Sequence, residues 1–195
     1  MGKSKKINAR DLINIGIYTA LYVVVLFVVG MLTAIPVLYP ALFVIWPIAT
    51  GIPFMLFITK VKKTGMVFIM SLILGTVWFL MGYSWLGFSS YVIFGLISEI
   101  VFKAAEYKNF KLLTIGYWIF SCGILGCPAN LWLAGDSYMA AVRDNMGDQY
   151  TTQLMHYMPW WMGIVAFGLL FIGAVIGAVI GKKMLKKHFE RAGIA

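Results

Sequence analysis

The side chains of this sequence that are suited to chemistry are suited to binding rather than to bond breaking. Trp78, Tyr83 and Trp85 bracket one short turn. Asn130 and Trp132 follow Cys127–Pro128, where a helix break is expected. Asp136, Tyr138, His156, Trp160 and Trp161 surround the longest polar stretch. Small-molecule pockets combine apolar walls with a few placed polar groups. Trp and Tyr rings stack on flat solutes or hold a cation through the ring quadrupole. The same rings also collect at membrane interfaces with no ligand present, and that reading stands beside the binding one for Trp85, Trp160 and Trp161. Asn130 is the sharper candidate, because an amide just inside an apolar boundary needs partners.

Catalysis lacks its parts. Ser71, Ser89, Ser90 and Ser98 lie in apolar runs, and neither His accompanies them, so the nucleophile–base pair of an intramembrane enzyme is missing. His156 has no neighbouring ligands in sequence, so no metal site is expected; nor is any cofactor. Cys122 and Cys127 stand five residues apart on different helical faces and read as small buried hydrophobes. No Walker motif is present, so any ATP hydrolysis belongs to partner chains. Asp136, Asp144 and Asp148 against Arg143 give the polar stretch a mild negative balance that suits a cationic solute or plain solvation.

The elements that position these residues are membrane helices. Hydrophobic residues make up 62% of the 195, charged residues only 12%, and mean hydropathy is +0.89; a soluble domain is about half apolar. The apolar excess is gathered in runs near the roughly 20 residues that cross a hydrocarbon core. Six are expected, at about 11–34, 41–59, 65–81, 85–102, 112–133 and 159–181, in one integral membrane domain. The first is longer than a signal-peptide core and reads as a retained helix. An outer loop at 136–158 is expected to carry a short amphipathic helix. Pro47 and Pro53 within the second run suit either a kinked, cavity-lining helix or ordinary membrane proline usage.

Fifteen of the sixteen Lys and Arg residues fall on one side of this six-helix reading, and only Arg143 on the other. Cytoplasmic loops retain Lys and Arg, so both termini are expected in the cytoplasm of a bacterial cell. The net charge of +9 flanks apolar runs and faces anionic lipid or a cytoplasmic partner; no nucleic acid is expected. Glu99 is the one acidic residue within an apolar run. Lys103, four residues on, suits a helical ion pair, with gating or docking as the other reading.

Two stripes of small residues complete the picture. Gly16 and Ala20 lie one turn apart in Gly16-Ile-Tyr-Thr-Ala20, and Gly173, Gly177 and Gly181 recur every four residues in the last helix. Small residues at this spacing let helix backbones approach closely in lipid. The last-helix stripe suits internal packing, for example against the first helix, or docking of another membrane subunit.

The run Arg10-Asp-Leu-Ile-Asn-Ile-Gly16-Ile-Tyr-Thr-Ala20 resembles the first helix of the substrate-binding S-components of energy-coupling-factor (ECF) transporters. Length, helix number and cytoplasmic termini agree with that family over nearly the whole chain. More narrowly, the chain resembles the Trep_Strep group of bacterial integral membrane proteins. The resemblance implies a vitamin-like solute captured at the outer half. It also implies docking through Gly16 and Ala20 on a transmembrane coupling subunit, which two cytoplasmic ATPases drive. A stand-alone secondary carrier or channel is the alternative, and it would need a polar path through the membrane.

Overall fold

The computed structural model describes residues 7–191, with side chains to Leu185. The basic side chains of Lys3, Lys5, Lys6, Lys186, Lys187 and Arg191 therefore lie outside the described residues. Nine α-helices follow one another among the described residues: α1 (Ala9–Gly30), α2 (Tyr39–Lys60), α3 (Met66–Leu80), α4 (Ser84–Ala104), α5 (Phe110–Ser121), α6 (Asn130–Leu133), α7 (Asp136–Met146), α8 (Asp148–Tyr157) and α9 (Met162–Arg191).

Local chemistry sets most of the boundaries. Asn8 and Asp11 close a reciprocal capping box at the start of α1, each side chain accepting the other's backbone N–H at 2.9 Å. After Gly30 the chain tightens into a 3-10 turn, and Pro36 opens a second one that leads into α2. Asn109 caps α5 by accepting from Lys111 and Leu112. The expected break of the fifth run comes earlier than Cys127–Pro128. From Cys122 to Gly126 the chain is 3-10, because this stretch lies directly on α4: a Cβ at Gly123 would sit 2.6 Å from the Tyr91 ring.

Four helical segments are long and apolar enough to cross a membrane: Ala9–Ala34, Pro36–Lys60, Ser84–Ala104 and Met162–Leu185. Met66–Leu80 and Phe110–Gly126 are apolar but shorter. At 15 residues α3 rises only about 22 Å, against a hydrocarbon thickness of about 30 Å. The side chains that face away from the bundle are themselves apolar, among them Ile13, Val28, Ile93 and Ile164. A bundle with an apolar exterior is built for lipid.

α2 is the inner wall against which α1, α5 and α9 pack. Its partner α9 lies on it backbone to backbone. A Cβ added at Gly173 would run into the Val44 carbonyl, one at Gly177 into the Pro47 carbonyl, and one at Gly181 would stand 2.8 Å from the Gly51 oxygen. Gly51 reciprocates against Gly177. The glycine stripe of the last helix is thus buried inside the molecule, and its partner is α2, not α1. Gly173, Gly177 and Gly181 offer no surface to a second subunit. The reason is geometric: α2 carries its own small residue, Gly51, at the crossing, so these two backbones can meet.

The lysine clusters gather at one end of the bundle. Lys63 pairs with Asp11, and Lys182 sits 4.1 Å over the Phe110 ring. Glu99, buried at this end, does not pair with Lys103. Its carboxylate accepts from the backbone N–H groups of Gly65 (2.8 Å), Val67 (3.0 Å) and Phe68 (3.2 Å) and from the Tyr107 hydroxyl (3.0 Å). It therefore caps α3 from a neighbouring helix, supplying the acceptor that the start of α3 lacks. Left-handed Glu106 and Tyr107 turn the chain so that the Tyr107 hydroxyl returns to Glu99 and to the Lys63 carbonyl.

The α2–α9 contact gives a direct expectation. Gly177→Ala should lower stability by about 1–3 kcal/mol through overpacking. Gly168→Ala, on the same helix with nothing within 4 Å, should leave it unchanged or slightly raised. Thermal unfolding of the two variants in one detergent checks this.

Candidate functional site

At the end opposite the lysines lie two adjoining cavities, the first of them roofed by α7 and α8. One, of about 250 Å³, is lined by Thr33, Tyr39, Tyr83, Tyr138, Tyr150 and Leu154 among others. The second, of about 230 Å³, lies beside it between α1 and α3; Phe27, Trp46, Trp78 and Cys127 are in its wall, and exposed Met31 and Met81 are at its rim. Thr33, Tyr39 and Tyr83 belong to both. The first chamber is therefore phenolic, and the second is an aromatic slot in which Trp78 meets Tyr83 edge-on at 5.2 Å and Phe27 at 5.7 Å.

Each wall follows from a local feature. Tyr39 enters from the first turn of α2, where Pro36 and Pro40 bring the chain round. Trp46 lies two turns further along the same helix, and their rings meet at 6.2 Å. Tyr83 stands in the α3–α4 turn, set by left-handed Gly82 and Ser84. Asn130 clamps that turn. Its side-chain oxygen accepts from the Ser84 hydroxyl at 2.6 Å, and its amide donates to the carbonyls of Tyr83, Gly126 and Cys127. The roof is α7 and α8, joined at Gly147, whose φ of 87° is left-handed. Arg143 and Asp148 bridge that joint at 2.8 Å, an exposed pair worth little. The firmer tie is the Tyr150 hydroxyl, which donates to the Thr33 carbonyl at 2.8 Å.

Of the ten side chains singled out in the sequence, Trp78, Tyr83 and Tyr138 line the cavities. Asn130 is fully buried with both polar atoms engaged by protein groups, so it builds the site rather than facing a solute. Trp132 braces the approach to α9, donating to the Met158 carbonyl at 2.8 Å with its ring beneath Gly163. Trp85 points outward at 68% exposure and packs on Phe79 and Phe88. Trp160 and Trp161 are also exposed, as interfacial rings are. Asp136 is exposed at the start of α7, and exposed His156 packs edge-on against Tyr157. None of Asp136, Asp144 and Asp148 lines either cavity. Among the described residues no three His, Cys, Asp or Glu side chains come together.

Thr33, Tyr39, Trp46 and Tyr150 escaped the sequence reading. For Tyr39 a signal was present, since it is a polar aromatic held between Pro36 and Pro40. Tyr150 had none, because only the fold of α7 and α8 brings it over Thr33, 117 positions away.

The site retains unused hydrogen-bonding capacity. The hydroxyls of Tyr39, Tyr83 and Tyr138 have no hydrogen-bond partner among the described residues. The buried Trp78 indole N–H lies beside Tyr91 but reaches no hydrogen bond. Burial pushes the Tyr138 and Tyr150 phenols above their ordinary value of 10.0, which keeps them protonated and able to donate at neutral pH.

These features define a multi-pass helical membrane protein with a binding-sized cavity at the end away from its lysines. Over residues 9–191 the chain matches the Trep_Strep family, described as hypothetical bacterial integral membrane proteins, and it belongs to that family. No curated protein and no solved structure matches it.

Two expectations follow. Asn130→Ala removes one acceptor and one donor from buried partners and should cost about 2–3 kcal/mol, read as a lowered unfolding midpoint. The folded chain holds the Tyr138 and Tyr150 protons more tightly than the unfolded chain does. Stability should therefore be level below about pH 10 and fall as pH rises past it. Tyr138→Phe should reduce that fall, measured by thermal melts across the alkaline range.

Proposed function

We propose that this protein is the solute-binding membrane subunit of an ECF-type importer, with the cavity end facing outward and the lysine end in the cytoplasm. In this reading all six apolar segments cross a bacterial inner membrane, the two short ones with local thinning of the bilayer. The observation that carries it is the pair of adjoining cavities at the end away from the lysines, closed toward the basic end by packed aromatic rings. Phe54 stacks within 4.7 Å of Tyr117 and 4.6 Å of Phe120 across the middle of the bundle. A small molecule can enter from one side and has no polar path to the other, which speaks against a stand-alone carrier or channel. Release on the far side then requires movement of the whole subunit, driven by a transmembrane coupling subunit and two ATPases.

A coupling subunit needs a place to sit, and α1 supplies one. Gly16 and Ala20 are exposed, and nothing lies within 4 Å of a Cβ built on Gly16. Leu12, Ile13, Ile17 and Leu21 extend the same apolar surface. A partner helix can approach closely there through the small residues. The stripe of α9, Gly173, Gly177 and Gly181, is buried against α2 and supplies no such face.

The experiment is a separation of binding from transport. Gly16→Leu and Ala20→Leu should fold normally and hold solute, yet abolish uptake by cells that supply the coupling module. Undiminished uptake with both substitutions rules out this docking face. Uptake by the purified chain alone in liposomes favours a self-sufficient carrier.

A further inference from the structure

From the chemistry of the cavity walls we infer the class of solute: an uncharged molecule with a flat ring and an exposed hydrogen-bond acceptor, bound across both chambers at once. The inference rests on the solute-binding reading above. Neither chamber suffices alone, since each falls below the roughly 300 Å³ at which small-molecule pockets begin; the two share Thr33, Tyr39 and Tyr83 in their walls, and a solute that spans both has the room it needs. The second slot, between Trp78, Trp46 and Phe27, is lined for a ring. The first chamber offers hydroxyls.

Charge is excluded by what the walls lack. No Asp, Glu, Lys, Arg or His lines either chamber. An ion taken from water into such a place without a counter-charge loses several kcal/mol. Contact with aromatic faces returns about 0.5–2 kcal/mol to a cation; the phenol hydroxyls can donate to an anion, but no Lys or Arg lines the walls to neutralise it. A neutral solute avoids that penalty.

Polarity is demanded by what the walls leave open. Tyr39 is only 8% exposed, and its hydroxyl meets no protein partner among the described residues. That hydroxyl is accessible from the cavity, so a solute there can take its hydrogen bond in place of water. The Tyr83 and Tyr138 hydroxyls are likewise without partners among the described residues, and they line the same chamber. A ring carbonyl or ring nitrogen answers these donors at once; a plain hydrocarbon answers none.

Three probes of one shape and different charge test this: benzamide, benzoate and benzamidine. Each is titrated at pH 7 to about 10 mM, a range that detects millimolar binding, into the full chain in detergent and followed by tryptophan fluorescence. Native mass spectrometry of the purified chain reads any molecule carried with it. Benzamide should bind at least ten-fold more tightly than either ion. Tyr39→Phe should weaken it at least five-fold with an unchanged unfolding midpoint. Equal or tighter binding of benzoate or benzamidine, or a co-purified molecule of fixed charge, overturns the neutral class and leaves a solute-binding protein. If no probe binds, a co-purified neutral ring compound supports the class. With no probe bound and no molecule carried, the class and the solute-binding reading both fail.

Discussion

The contact on which the rest of the structure depends is the backbone-to-backbone crossing of α2 and α9. In lipid, helices are not driven together by the hydrophobic effect, since the acyl chains are as apolar as leucine; close packing must hold them. Gly173, Gly177 and Gly181 meet the carbonyls of Val44, Pro47 and Gly51, and no side chain separates the two helices there. That crossing fixes the position of α2, and α2 carries Tyr39 and Trp46 into the cavity wall. Halfway along, the Tyr117 hydroxyl donates to the Pro47 carbonyl at 2.6 Å and shares a 2.8 Å hydrogen bond with Thr50. This ties α5 to the same wall. A shift of α9 would move the slot as well as the scaffold.

The two ends of the bundle treat polar groups in opposite ways. At the basic end acceptors are saturated: Asp11 answers Lys63 and the Asn8 backbone, and Glu99 answers three N–H groups and Tyr107. The result is a rigid corner in which the start of α1, the α2–α3 turn and the α4–α5 turn are tied together. At the aromatic end the hydroxyls of Tyr39, Tyr83 and Tyr138 have no protein partner among the described residues. Under the function proposed above, those hydroxyls are what the cavity offers a guest. The free small-residue face of α1 lies toward the saturated corner, so a partner seated there would push on the stiffest part of the molecule.

Much of the architecture was legible in the residues, and the exceptions share a cause. Helix starts at Asn8–Asp11 and around Pro36 and Pro40 follow from short-range chemistry, which the sequence carries within a few positions. The first, second and fourth runs end close to where their apolar stretches end. The fifth run is expected to break at Cys127–Pro128, but Gly123 and Gly126 let it tighten several residues earlier, against α4, and only α4 makes that favourable. The stretch 136–158 was read as a loop with one short helix and holds two, separated at Gly147. Glu99 pairs by spacing with Lys103 on its own helix; in the fold three of its four partners lie more than thirty positions away, at the start of α3.

What the residues alone determined is the class and its polarity. Apolar runs must be buried in lipid, and clustered lysines must stay out of it, so a helical membrane protein with a basic end and an aromatic end follows from composition and spacing. Which aromatics become a site was decided only by the folded chain. Trp78 and Trp85 are of one type and seven residues apart, yet one lines a cavity and the other faces outward. Tyr39 and Tyr150 gain their meaning from a turn and a roof that pack over each other. Hydropathy records how a residue partitions between water and lipid; whether it faces lipid, a neighbouring helix or an empty chamber depends on which backbones can approach, and that is a property of pairs of helices.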